Sequence, residues 1–94
     1  MKAVVEMQFA DFVSSGFNPI VNYLAKSYYR WNQKADVVIR MPCGAGVGAG
    51  PFHSQTTASW FYTVPGLKLV YTSSLADAKY LFLLLRHILC CPRT

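Results

Sequence analysis

The chain has 94 residues, of which 53% are hydrophobic and 14% charged, a composition that is typical of one globular domain and excludes a disordered chain. Its net charge of +5 comes from nine basic residues scattered without a run of three, which argues against a nucleic-acid-binding stripe. The three cysteines have no spacing typical of a zinc site, and the longest apolar run is too short and too polar to span a bilayer.

The first half of the chain predicts two buried strands separated by a helix. The segment AVVEMQF at 3–9 is short, apolar and rich in β-branched residues, as expected for a buried strand. A helix is predicted to begin at Asn18, the cap, and Pro19, and its apolar residues recur at three- and four-residue spacing as far as Trp31. The segment DVVIRM at 36–41 predicts the second strand.

The segment PCGAGVGAGP at 42–51 is too rich in glycine for regular structure and predicts a loop. Its glycines match the G-x-G-x-x-A spacing of a dinucleotide-binding loop, but Gly50 and Pro51 stand where that motif requires a helix. We therefore predict no nucleotide site here. The glycines instead allow the backbone to approach a ligand or a neighbouring chain closely.

The second half predicts a short helix in TTASWFYT at 56–63 and a third strand in LKLVYT at 67–72. Ser74 and Asp77 have the spacing of a capping box, which opens a last helix near Leu75. We expect this helix to continue to the end of the chain.

The alternation of strands and helices indicates an α/β fold with a partial parallel sheet and helices on both faces. Three strands are few for a sheet that is covered on both sides, so we expect a domain that is cut at both ends.

His53 follows the glycine-rich loop and precedes a pair of aromatic residues, in GPFHSQTTASWF at 50–61. The residues alone leave two interpretations open: a loop histidine with its nitrogens in water, or a proton donor held at a site. No Ser/His/Asp or Cys/His arrangement can be assembled around it, because Asp11, Asp36 and Asp77 are explained as turn or cap residues.

Six segments of the chain resemble one enzyme family, in the same order: EMQFADF, AKSYYR, VVIRMPCG, PFHSQT, PGLKLVY and DAK. The family is the β subunit, or fused β half, of thiamine diphosphate-dependent 2-oxoacid dehydrogenases, the decarboxylating first components of the pyruvate and branched-chain complexes. HSQ followed by PGLK and DAK is specific, and EMQFADF is closer to the branched-chain members. The resemblance covers residues 4–79 and implies the transketolase-like pyrimidine-binding (thiamine diphosphate-binding) fold. We therefore expect a partial domain of this type at 1–79 and an atypical tail, truncated or out of frame, at 80–94.

The resemblance also implies site residues. The histidine of the HSQ motif takes part in acid/base chemistry when the lipoyl group is reductively acylated. That role falls on His53 and suits an imidazole, which exchanges protons near neutral pH. The aromatic residue that ends the EMQFADF-type motif packs beside the aminopyrimidine ring of the cofactor, so Phe12 is expected to contact this ring and Gln8 to lie near it. For both residues the alternative is core packing, and no metal ligand is expected in this chain.

The implied cofactor is thiamine diphosphate, with its Mg²⁺ held by the partner half of the enzyme. The implied partners are the α subunit or α half and the lipoyl domain of the acyltransferase component, in a hetero- or homo-oligomer without nucleic acid or membrane. The implied location is the cytoplasm of a bacterium or the mitochondrial matrix of a eukaryote.

The family also carries a glutamate upstream of the Phe12 position that activates the cofactor, and Glu6 matches a different position. The isolated chain is therefore expected to be inactive. Its parent enzyme is expected to carry out oxidative decarboxylation of a branched-chain 2-oxoacid or pyruvate, with acyl transfer to the lipoyl group. The alternatives are a non-catalytic truncated paralogue or interaction module, and another transketolase-like thiamine enzyme.

Overall fold

A computed structural model describes the backbone of residues 3–44, 46, 48–84 and 88–92 and, within these, the side chains as far as 81. The described chain contains one four-stranded sheet with the order β1-β2-β4-β3. Its strands are β1 (Ala3–Glu6), β2 (Val37–Cys43), β3 (Leu69–Tyr71) and β4 (Ile88–Pro92).

All three pairs of neighbouring strands are parallel. Parallel strands cannot be joined by a tight turn, so each connection crosses over and carries helical structure. The connection from β1 to β2 contains a 3₁₀ helix (Ala10–Gly16), a π-helical segment (Pro19–Leu24) and α1 (Ser27–Trp31). A second 3₁₀ helix (Ala58–Phe61) precedes β3, and α2 (Leu75–Leu84) lies between β3 and β4. The predicted α/β class with a parallel sheet is therefore confirmed.

The first strand is shorter and more exposed than the sequence predicts. It ends at Glu6, and the Met7 N–H donates to the Arg40 carbonyl at 3.0 Å as the chain leaves the sheet. Val4 and Val5 are 55% and 43% exposed, because β1 is an edge strand of the described sheet. The prediction of a buried strand at 3–9 is wrong in both respects.

The helix predicted from Asn18 begins earlier and is broken. The backbone of Asn18 is already helical, at φ −60° and ψ −50°, so this residue does not cap a helix. Its side-chain oxygen instead accepts a hydrogen bond from Asn22 Nδ2 at 2.7 Å. A turn at Ala25 then separates the π-helical segment from α1, and α1 ends at Asn32, whose φ is 53°.

The predictions for the second half hold until the last helix ends. The short helix is found at Ala58–Phe61, and the Ser74 side chain caps the start of α2 as predicted. The Asp77 N–H donates to Ser74 Oγ at 3.1 Å, and the Ser74 hydroxyl donates to the Asp77 carboxylate at 2.8 Å.

The last helix does not continue to the chain end as predicted. It stops at Leu84, and the backbone at Ile88–Pro92 forms β4 between β2 and β3. Residues 88–92 therefore contribute to the sheet, and the origin of the 80–94 segment as a truncated or out-of-frame tail stays a prediction. None of the helices in the described residues has the length and apolar character needed to cross a membrane.

The hydrophobic core lies between β2 and the helical connections. Alternate residues of β2 point to the same side of the sheet, and three of them meet side chains of the N-terminal helical segments and of the second 3₁₀ helix. The buried cluster consists of Ala10, Val13, Ile20, Ile39, Met41, Cys43 and Phe61. This core holds the first 3₁₀ helix against β2, and so sets the position of that helix relative to the carboxyl ends of β1 and β2.

Candidate functional site

The candidate site lies where the chain leaves the carboxyl ends of two neighbouring parallel strands. Because β1 and β2 are parallel and paired, with Ala3 opposite Val37 and Glu6 opposite Arg40, their carboxyl ends share one edge of the sheet. Ligands of parallel α/β sheets bind at this edge. Residues 7–12 come directly after β1, and the glycine-rich loop with His53 comes after β2.

His53 packs edge-on against two phenyl rings that belong to the segment after β1. Its ring centroid is 5.6 Å from that of Phe9 and 5.4 Å from that of Phe12, with interplanar angles of 69° and 80°. Such edge-to-face contacts are favourable geometries for aromatic rings. The side chain is half-buried, so His53 is not a loop histidine that simply projects into water.

The backbone reaches His53 through a turn that requires glycine. The His53 N–H donates to the Gly50 carbonyl at 3.3 Å. Gly50 and Gly48 have φ of +79° and +65°, a region that L side chains rarely adopt. No described atom lies within 4 Å of a Cβ built on either residue, so these two glycines set the backbone direction rather than fill a tight contact.

Two hydrogen bonds tie the loop of His53 to the first 3₁₀ helix. The Gln55 N–H donates to Asp11 Oδ1 at 2.9 Å, and the Thr57 hydroxyl donates to the Ala10 carbonyl at 3.4 Å. Asp11 is only 7% exposed and Thr57 is fully buried. The interpretation of Asp11 as a turn or cap residue is therefore wrong, because its carboxylate bonds to a backbone amide 44 residues away.

Sequence reasoning missed this link for a physical reason. The one local signal was an acidic residue within the apolar stretch QFADFV, since a carboxylate among buried residues needs a partner. The identity of the partner depends on a contact across 44 residues, which no local pattern encodes.

The other predicted site residues lie at the same edge and outside the core. Phe12 is 46% exposed although its ring contacts His53, so it offers free apolar surface to a ligand. Gln8 is exposed as well and directly precedes Phe9, one of the two rings that contact His53. Core packing, the alternative for both residues, does not describe either of them.

Ser54, next to His53, has hydrogen-bonding capacity that the described part of the chain leaves unused. Its hydroxyl oxygen is buried and makes no hydrogen bond to any described residue. A buried hydroxyl without a partner costs free energy, so such groups call for an explanation, of which a ligand is one. A planar heterocycle fits an edge that offers the exposed ring of Phe12.

No group of three or more His, Cys, Asp or Glu side chains that could hold a metal ion occurs among residues with described side chains.

The chain is similar in sequence to a known family and to several characterised proteins. A family model described as "Transketolase, pyrimidine binding domain" matches residues 1–89. The 2-oxoisovalerate dehydrogenase subunit beta of Bacillus subtilis is 42% identical over 81 residues, which are 84% of this chain and 25% of that protein. The corresponding mitochondrial subunit of Chaetomium thermophilum is 41% identical over 88 residues, 88% of this chain and 19% of that protein.

A third relative is named for a different 2-oxoacid. The mitochondrial pyruvate dehydrogenase E1 component subunit beta of Saccharomyces cerevisiae is 37% identical over 81 residues, 84% of this chain and 22% of that protein. The chain thus spans about a fifth to a quarter of the length of these curated relatives.

Proposed function

Because this chain belongs to the transketolase pyrimidine-binding domain family, we propose that it forms the aminopyrimidine-contacting part of a thiamine diphosphate-dependent 2-oxoacid dehydrogenase β subunit. The observation that carries the proposal is the seating of His53 against the half-exposed ring of Phe12 at the carboxyl edge of the sheet. The reaction of the parent enzyme is then oxidative decarboxylation of a 2-oxoacid, followed by acyl transfer to a lipoyl group.

The residues at this edge can hold the aminopyrimidine ring. The exposed surface of Phe12 gives the ring an apolar face to pack against, and Gln8 lies exposed at the same edge. The buried Ser54 hydroxyl supplies a hydrogen bond to a ring nitrogen or an amino group. When bound, thiamine diphosphate supplies the electron sink for decarboxylation, while the protein positions it.

His53 holds and moves the proton of the acyl-transfer step. Its imidazole donates a proton when the lipoyl disulfide opens and accepts one afterwards. The phenyl rings of Phe9 and Phe12 flank the imidazole and exclude water from part of its surface. This arrangement keeps the ring close to the cofactor and in few orientations.

Comparison of identities supports a branched-chain 2-oxoacid as substrate. The two relatives named for 2-oxoisovalerate are 42% and 41% identical to this chain, and the one named for pyruvate is 37% identical. The similarity to β subunits supports an α subunit or α half as partner, with the Mg²⁺ and the diphosphate bound there and the lipoyl domain of an acyltransferase as the acyl acceptor. Some of the relatives are named as mitochondrial, which supports the mitochondrial matrix in a eukaryote and the cytoplasm in a bacterium.

The direct test is binding of thiamine diphosphate to the 94-residue chain, followed by NMR at the His53 ring protons. We expect saturable shifts in the wild-type chain. Phe12→Ala should weaken binding about fivefold to a hundredfold, since stacking a heterocycle on an aromatic ring contributes about 1–3 kcal/mol. The matched control is Tyr29→Ala, which removes a ring that is 95% exposed on α1. Equal affinities of wild type and Phe12→Ala would contradict the proposal.

The isolated chain should bind the cofactor without turning over substrate. The groups assigned to the diphosphate and Mg²⁺ belong to the partner half, and the described side chains contain no cluster that could replace them. We therefore expect no 2-oxoisovalerate decarboxylation by the 94-residue polypeptide with thiamine diphosphate and Mg²⁺, measured as CO₂ release. Turnover by this polypeptide alone would contradict the assignment of the diphosphate and Mg²⁺ to the partner half.

A further inference from the structure

Two segments at the candidate site hold each other by reciprocal hydrogen bonds. The side chain of Asp11 accepts from the backbone of Gln55, and the side chain of Thr57 donates to the backbone of Ala10. Each segment thus contributes one side chain and one backbone group. We call this pair of bonds the strap.

The strap is buried and one of its bonds involves a carboxylate. Asp11 is 7% exposed, and Ala10 and Thr57 are 0% exposed. A hydrogen bond from an amide to a carboxylate is stronger than one between neutral groups, because charge assists it. The Asp11–Gln55 bond is therefore the stronger of the two bonds of the strap.

The loop that carries His53 needs such an anchor. It contains glycines with positive φ at 44, 48 and 50, and glycine-rich backbone loses the most conformational freedom when it is ordered. The edge-on contacts of His53 with Phe9 and Phe12 contribute only about 0.5–1.5 kcal/mol each.

The strap lies close in the chain to the rings of His53 and Phe12. Asp11 directly precedes Phe12, and Gln55 is two residues after His53. Holding Asp11 to Gln55 at 2.9 Å therefore keeps the His53 and Phe12 centroids at 5.4 Å. We infer that Asp11 is a positioning residue, which acts through Gln55 to hold the His53 imidazole beside Phe12. The catalytic meaning of this assignment rests on the function proposed above.

The test compares substitutions at both ends of the strap in the 94-residue chain. Asp11→Ala removes the acceptor, Asp11→Asn keeps an oxygen acceptor without the charge, and Thr57→Val removes the second donor without changing the side-chain shape. The control is Asp77→Asn, the same chemical change at an exposed carboxylate, which accepts a hydrogen bond from the Ser74 hydroxyl at the start of α2. The readouts are the chemical shifts of the His53 ring protons, which sense the ring currents of Phe9 and Phe12, and hydrogen exchange at the Gln55 amide.

We expect Asp11→Ala to shift the His53 ring protons toward their values in an unstructured peptide. Gln55 exchange should become about tenfold faster or more, the change that loss of a charge-assisted hydrogen bond implies, while the Ile39 amide in β2 changes less. Asp11→Asn should restore part of the His53 shift, and Asp77→Asn should leave it unchanged. A purely structural role would instead accelerate exchange at Gln55 and Ile39 alike.

If Asp11→Ala does not fold, Asp11→Asn and Thr57→Val decide the question. Unchanged His53 ring shifts and unchanged Gln55 exchange in both variants would overturn the inference. These readouts need no cofactor. If the Asp11 variants displace the His53 signals but the wild-type chain does not bind thiamine diphosphate, the proposed function alone is refuted. If the wild-type chain binds the cofactor and the variants leave the His53 signals in place, the positioning role alone is refuted.

Discussion

At the candidate site, the properties of single side chains depend on the contacts that surround them. His53 lies between the rings of Phe9 and Phe12, and Ser54 beside it carries a buried hydroxyl without a partner among the described residues. A polar group in this state lowers the stability of the folded chain until something bonds to it. Sites that bind ligands commonly keep such groups at the expense of stability.

Replacing Ser54 should therefore separate stability from binding. Ser54→Ala removes the buried hydroxyl, and we expect the free energy of unfolding to stay the same or to rise by up to about 1 kcal/mol. Thiamine diphosphate should bind about two- to tenfold more weakly, the effect of one lost hydrogen bond. Urea denaturation and NMR titration measure the two quantities.

The control for this comparison is Ser14→Ala, which changes an exposed serine in the first 3₁₀ helix. It should alter neither quantity beyond about 0.5 kcal/mol. A loss of stability in Ser54→Ala that exceeds the loss in Ser14→Ala would mean that the Ser54 hydroxyl has a partner inside the protein.

How well the residues of the site could be predicted depended on the range of the contacts. Spacing alone left His53 open, and only the resemblance pointed to it together with Phe12. The strap escaped because Asp11 and Gln55 are 44 residues apart and meet only when β1 and β2 pair. Side chains that act through tertiary contacts carry no local signature.

Helices and strands were predicted correctly where the local sequence pattern is unambiguous. They were missed where tertiary contacts determine where an element begins or ends. The capping box at Ser74 and Asp77 is a local device, and it opens α2 as predicted. The run YLFLLLRHILCC is apolar on both sides of Arg86 and His87, so periodicity could not separate the end of α2 from β4. The break between the π-helical segment and α1 likewise depends on a distant residue, since the Gly66 backbone lies directly against the carbonyl of Ala25.

Gly66 should be difficult to replace because its backbone lies against the backbone of Ala25. Its φ is +92°, and a Cβ at this position would overlap the Ala25 carbonyl oxygen. We expect Gly66→Ala to lower the free energy of unfolding by about 2 kcal/mol or more, of which about 1 kcal/mol comes from the positive φ. In a domain of this size each kcal/mol lowers Tm by about 4–8 °C, measured by thermal unfolding.

Gly48→Ala is the matched control, since its φ is +65° and nothing lies within 4 Å of an added Cβ. Gly48→Ala should lower the free energy of unfolding only by the cost of a positive φ, about 1 kcal/mol. Equal losses in the two variants would show that the Gly66–Ala25 approach has room for a side chain.

The sheet as described leaves β1 uncovered on both faces and along one edge. Successive residues of a strand point to opposite faces, so the exposure of Val4 at 55% and Val5 at 43% means that neither face is packed. The ion pair between Glu6 and Arg40 of β2, at 3.1 Å and half-exposed, lies on the paired side of β1 and contributes at most about 1 kcal/mol. A strand edge of this kind is a template for pairing with another chain.

We therefore expect the isolated chain to associate in a concentration-dependent way through β1. Val5→Lys should weaken this association about tenfold, because burial of a valine side chain contributes about 1.5 kcal/mol, and light scattering over a dilution series measures it. Tyr29→Lys adds the same charge at a residue that is 95% exposed on α1, and it should have a smaller effect. If both variants weaken association equally, net charge rather than the β1 edge controls it.

The strap has a consequence for the order in which this chain acquires its parts. Its two bonds close loops of 44 and 47 residues, and the loop-closure entropy is lost once, when the first of them forms. Pairing of β1 with β2 joins residues 34 positions apart, such as Ala3 and Val37, and so closes a shorter loop than either bond of the strap. We therefore expect these strands to pair before the strap forms, so that a chain whose imidazole is held in place has already joined β1 to β2.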